Sequence, residues 1–121
     1  MNFQLVEQEL DQIAKTSGVI ACALVEADTG MIYLSTSKSI KFEVIAEGAR
    51  DYWSLHNKNG NIFNEMGMLN SILIQHAKGL LTIQPCGEKT ILITLAKLGK
   101  MDWKAWPKVI QPLRELIDDS G

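Results

Sequence analysis

Gly18-Val19-Ile20-Ala21-Cys22-Ala23-Leu24-Val25-Glu26-Ala27-Asp28-Thr29-Gly30 decides how the rest of the chain is read. From Val19 to Val25 every residue is apolar, so both alternating faces of an extended segment are apolar. That pattern fits a strand covered on both sides. The β-branched Val19, Ile20 and Val25, between flanking glycines, favour strand over helix. Asp28-Thr29-Gly30 reads as a turn in which Gly30 is free to take positive φ. Met31-Ile32-Tyr33-Leu34-Ser35 then returns, so residues 19–35 read as a β-hairpin. Its second arm becomes polar quickly, which suits a sheet edge.

Upstream, residues 2–16 read as a helix. Phe3, Val6, Leu10, Ile13 and Ala14 fall on one side, with Gln4, Glu7, Gln8, Asp11 and Gln12 on the other. Gly18 supplies a left-handed stop. Downstream, Ser39 is an N-cap for a helix over about 40–57. Its core stripe reads as Phe42, Ile45, Ala49, Tyr52 and His56, widened by Ala46 and Trp53. Asn57 to Asn61 breaks this helix, and a loop carrying Ile62, Phe63 and Met66 follows.

Three strands come next: Met68 to His76, Leu80 to Gln84 and Thr90 to Ala96. The turns between them are too short for a crossover helix, which predicts an antiparallel meander. Asp102 is a further N-cap. Trp103, Trp106, Ile110, Leu113 and Ile117 lie at helical spacing, interrupted by Pro107 and Pro112. Proline fits a first turn but not an interior, which predicts a short turn near 103–106, a break, and a main helix over about 108–119. The order is α-β-β-α-β-β-β-α.

Composition bounds the function. Residues 1–121 read as one domain, long enough to bury a core without a metal or disulfide. At 46% apolar and 21% charged residues, the chain is neither disordered nor fibrous. Twelve basic against fourteen acidic residues give a net charge of −2 with no basic stripe, which argues against a nucleic-acid partner. No stretch approaches the ~18 apolar residues of a membrane span, and Glu7, Glu9 and Asp11 interrupt any leader-like run. Two cysteines without a pairing pattern, Cys22 and Cys86, fit a reducing cytoplasm. The sequence leaves open a single disulfide between them.

Patterns that carry chemistry are missing. His56 and His76 sit at element ends with no metal-ligand spacing around them. No G-x-S-x-G, phosphate loop or G-x-G-x-x-G occurs. Cys22 lies mid-strand, where a thiol is inert packing. Cys86, in a Pro-Cys-Gly turn near Lys89, reads as the more exposed thiol. Glu26 and Asp28 read as solvated charges at a hairpin end. No cofactor and no metal are expected. Trp103 and Trp106 read as a lid on the core or as a partner anchor, and Trp53, beside its helix stripe, as an interface or a core residue.

The element order, with the segment 18–30 and Gly79-Leu80-Leu81-Thr82-Ile83-Gln84-Pro85-Cys86-Gly87, resembles the roadblock/LC7 family. The likeness runs from about residue 3 to 118 and rests on apolar patterns and glycine turns. Residues 103–112 depart from the plainer last helix of that family. The resemblance implies a profilin-like α/β fold, a five-stranded antiparallel sheet with helices on both faces. It also implies a non-catalytic homodimer that regulates or scaffolds a small Ras-like GTPase. In such a dimer the strand Met68–His76 joins its mate across a two-fold, through Leu69, Ser71, Ile72, Leu73 and Gln75. Ala46, Arg50 and Trp53 would lie on the dimer ridge or a GTPase-docking face. Two other readings stand beside it. One is a small-molecule-sensing domain, marked by a deep apolar pocket between sheet and helices. The other is an enzyme dependent on Cys86.

Overall fold

A computed structural model describes residues 2–118. In chain order it contains α1 (Phe3–Ala14), β1 (Val19–Glu26), β2 (Ile32–Ser35), α2 (Ile40–Lys58), the short α3 (Gly60–Phe63), a 3-10 turn (Asn64–Met66), β3 (Ile72–Gln75), β4 (Leu80–Pro85), β5 (Thr90–Ala96) and α4 (Trp106–Asp118). The strands form one sheet in the order β2-β1-β5-β4-β3, with every neighbouring pair antiparallel.

The positions follow from the side chains. β1 and β5 are apolar on both faces and lie inside the sheet; Ala21 to Val25 and Ile91 to Ile93 are all buried. The short strands β2 and β3 take the two edges. On one face α1 and α4 pack Val6, Leu10, Ile13, Trp106, Ile110, Leu113 and Ile117 against Cys22, Leu24 and Leu92. On the other face α2 alone packs Phe42, Ala46 and Ala49 against Ala21, Ala23, Val25, Leu81, Ile83, Ile91 and Ile93. The hairpin turn uses the expected Gly30, whereas α1 already ends at Ala14 with right-handed Lys15 as its C-cap, and Gly18 instead turns the chain into β1. Gly30 has φ +79° and Gly18 φ +88°. At Gly18 a Cβ would also stand 2.7 Å from the Lys100 carbonyl carbon and oxygen, so the backbone approach itself requires glycine.

Four further readings are corrected. Phe3 is half exposed and packs edge-to-face on Tyr33 rather than inside the core. The loop after α2 is partly helical, because α3 and the 3-10 turn occupy residues 60–66. The strand expected over 68–76 is confined to Ile72–Gln75. Finally, α4 begins at Trp106 and runs through Pro112 without a break. Pro107 sits in the first turn, where its missing N–H is not needed. Pro112 forfeits the bond to the Lys108 carbonyl, but both residues lie on the exposed side, where water replaces it. Its apolar face fixes the helix: Trp106, Ile110 and Leu113 are buried, and Trp106 Nε1 donates to Gln84 Oε1 at 2.6 Å. Asp102 Oδ1 accepts from the Lys104 and Ala105 amides, capping the turn before α4. The expected helix end at residue 119 lies outside the described residues.

Candidate functional site

The side chains of α2 divide into two apolar stripes, and the structure settles which one faces the sheet. Phe42, Ala46 and Ala49 are buried, and Trp53 packs partly buried beside them. Ile45 and Tyr52, read from periodicity as core, are 38% and 49% exposed. The helix is turned by roughly 40° from the sequence reading. Alanines at 46 and 49 let its backbone lie close to the sheet. Arg50 fixes the rotation from the other flank: Nε donates to the Ala27 carbonyl at 3.0 Å and Nη2 to the Asp28 carbonyl, tying α2 to the β1–β2 turn.

This rotation redistributes the expected interface residues. Ala46 is 0% exposed and belongs to the subunit's own core, so its place on an outer ridge is corrected. Arg50 is half-buried and bonded within the subunit. Trp53 is half-buried, with Nε1 enclosed and without a hydrogen-bond partner among the described residues. In their place, Ile45, Tyr52 and Leu55 line the outward flank, with Val44 and Ile40 above them, all exposed. The connector to β3 adds exposed Ile62, Met66 and Met68. So much contiguous chain with large exposed apolar side chains is unusual for a surface with nothing to cover it.

Beside this face the sheet is open. β3 pairs with β4 on one side only. His76 N–H donates to the Gly79 carbonyl at 2.8 Å. Antiparallel alternation then directs the Ile72 and Ile74 amides toward β4 and leaves those of Leu73 and Gln75 pointing off the edge. Ile72 and Ile74 pack partly buried on the α2 side. Leu73, on the opposite face, is 52% exposed, and Gln75 is exposed. Leu69 and Ser71, half-buried, precede the strand. The structure therefore gathers Leu69, Ser71, Ile72, Leu73 and Gln75 along one open edge.

The two thiols lie inside the subunit. Cys86, read as a turn thiol, has no exposed surface. Cys22 is buried in β1; desolvation pushes its thiol up to about 12, against a lowering contact from the Thr94 hydroxyl at 3.7 Å. His56 stacks on Phe63 with ring centroids 5.1 Å apart, and His76 is exposed at the β3 end. Glu26 accepts from the Tyr33 hydroxyl at 2.7 Å, which raises the tyrosine pKa. Among the described residues no His, Cys, Asp and Glu cluster has metal-binding geometry. Two shallow clefts, one along Leu5, Gln8, Gln12 and Leu116 and one at Thr29, Gly30, Glu47 and Arg50, lie outside the sheet–helix layers. Among the described residues no helix is long and apolar enough to cross a membrane.

The five-stranded order, with α1 and α4 on one face and α2 on the other, superposes on a roadblock/LC7 domain from Streptomyces avermitilis with a TM-score of 0.77. The chain has the roadblock/LC7 fold. That match has 18% identity and covers 96% of this chain and 94% of the other. An MglB in a tetrameric arrangement superposes with a TM-score of 0.78 and 11% identity, over 98% of this chain and 92% of that one. The gliding protein MglB from Thermus thermophilus gives 0.77 and 11% identity, over 97% and 88%. No family profile matches the sequence, and no curated protein matches it. The outward flank of α2 lies opposite the Arg50 side that faces the β1–β2 turn, and β3 packs Ile72 and Ile74 against the same cluster as Trp53. Periodicity alone missed the outward flank, although the spacing 41, 45, 48, 52, 55 was present in the sequence.

Proposed function

We propose that this chain is a non-catalytic adaptor that pairs with a second copy of itself through β3 and the outward flank of α2, and that the pair docks a small Ras-like GTPase. The observation that carries the reading is the open edge of β3 beside exposed Ile45, Tyr52 and Leu55. An unpaired apolar edge strand is an aggregation hazard unless something covers it. A two-fold through the edge makes one surface cover itself. The tetrameric arrangement named for an MglB of the same fold supports self-association. The GTPase partner rests on the resemblance to the roadblock/LC7 family. Burial of Cys86 supports an adaptor over the Cys86-dependent enzyme.

The reading is tested by capture from native lysate with the immobilised wild type and its Leu73→Lys variant. Leu73→Lys sets like charges near the two-fold and is expected to give monomer without unfolding, since Leu73 is 52% exposed. Wild type is expected to retain a GTP-binding protein that the monomeric variant loses. Retention of no nucleotide-binding protein by a demonstrably dimeric wild type refutes the GTPase partner. A wild type that stays monomeric at high concentration refutes the pairing.

A further inference from the structure

Gly48 lies in the middle of α2, where a helix pays about 1 kcal/mol for glycine relative to alanine. Nothing inside the subunit asks for it. Its φ is not positive, and a Cβ built there meets no atom within 4 Å. Glycines kept for a turn or a close backbone approach look different, as Gly18 does. Gly48 sits on the outward flank, in a row that alternates steps of four and three: Lys41, Ile45, Gly48, Tyr52, Leu55, Asn59. Such a row is a straight seam for a second helix. It is polar at both ends and apolar between, and a missing side chain makes a notch beside its largest member.

The occupant of that notch follows from the symmetry proposed above, on which this inference rests. Two β3 edges pairing antiparallel are related by a two-fold normal to the sheet. Helices on the same face then come out side by side and antiparallel. The seam is centred between Gly48 and Tyr52, and a two-fold passing its midpoint sets Ile45 against the partner's Leu55 and Gly48 against the partner's Tyr52. In any register shifted by a turn, an apolar end meets solvent and ring meets ring or notch meets notch. Area also calls for the helix. A four-residue strand is only ~13 Å long, too short by itself to bury the roughly 800 Å² per partner of a stable interface. The seam from Ile45 to Leu55 adds ~15 Å of continuous apolar contact. We infer that Gly48 is a specificity-determining residue for self-association, a socket that receives the ring of Tyr52 of the partner subunit, twice in each dimer.

The test is a double-mutant cycle on the full chain, with Gly48→Ala, Tyr52→Ala and the pair together. Dimerisation is read by sedimentation equilibrium and subunit stability by urea unfolding below the dissociation constant. Gly48→Ala is expected to raise the urea midpoint of the subunit, because helix propensity improves. It is also expected to weaken the dimer by roughly tenfold or more, because the added methyl meets a ring on each side of the two-fold. On a Tyr52→Ala background the same substitution is expected to leave association unchanged. That opposition of stability and association separates a socket from a merely structural glycine. A wild-type dimer whose affinity survives Gly48→Ala, or in which the two effects simply add, overturns the socket while leaving the pairing through β3 intact. A monomeric wild type overturns both.

Discussion

Truncating Leu55 to alanine removes a side chain that is 60% exposed in the single subunit. Fully burying a leucine is worth about 1.5–3 kcal/mol, so covering the exposed share is worth ~1–2 kcal/mol. A two-fold applies the loss in both subunits, which gives ~2–4 kcal/mol per dimer, on the order of a hundredfold in Kd. The share already buried within the subunit is smaller, and its loss costs about 1 kcal/mol of folding stability. Leu113 supplies the control. It is 0% exposed between α4 and the sheet, so Leu113→Ala opens a cavity worth ~2–5 kcal/mol in stability. Sedimentation equilibrium gives the dimer affinity of each variant, and urea unfolding of dilute protein gives subunit stability. Leu55→Ala is expected to act mainly on the first, Leu113→Ala on the second. A dimer unchanged by Leu55→Ala, or a urea midpoint lowered as far as by Leu113→Ala, would refute a place for Leu55 in the dimer contact.

Other sites report on the fold. Trp106→Phe leaves Gln84 Oε1 buried without its indole donor and is expected to lower stability by ~1–3 kcal/mol in urea titrations. Gly18→Ala forces a Cβ to within 2.7 Å of the Lys100 backbone at φ +88° and is expected to cost ~2 kcal/mol or more, whereas Gly60→Ala, where a Cβ meets nothing within 4 Å, changes the midpoint little. Cys22 has its thiol raised from 9.0 to about 12, so iodoacetamide near neutral pH is expected to alkylate it only in unfolded protein, as mass spectrometry would show. The same shift has a stability sign. In alkali the unfolded chain releases the Cys22 proton first, so this thiol's contribution is intact below pH 9.0 and is lost as pH rises toward about 12.

Where an apolar pattern had one solution, the sequence was enough to place the element. Seven consecutive apolar residues from Val19 to Val25 admit a strand covered on both faces, and β1 lies inside the sheet. Short turns at Ala77-Lys78-Gly79 and Pro85 to Glu88 permit only the antiparallel meander that β3, β4 and β5 form. α2 was harder because it is apolar around more than half its circumference. Periodicity offered both 42-45-49-52-56 and 42-46-49-53, and burial of Ala46 and Ala49, with the tie from Arg50 to the Ala27 and Asp28 carbonyls, shows which is inside. That tie spans more than twenty residues and leaves no mark on local spacing. The site suffered directly, because Ala46 moved from ridge to core while Ile45 and Tyr52 moved outward. Pro112 misled for a different reason: burial of Trp106, Ile110 and Leu113 outweighs one lost bond on a solvated face.

Pairing of β3 with a second copy is decided most directly at the backbone amides of Leu73 and Gln75, which point off the open edge while those of Ile72 and Ile74 face β4. Amide hydrogen exchange followed by NMR at a series of protein concentrations reads all four in one sample. Pairing through β3 requires that Leu73 and Gln75 exchange rapidly in dilute protein and gain protection as concentration rises, with Ile72 and Ile74 protected throughout. Rapid exchange at Leu73 and Gln75 that does not change with concentration would contradict it.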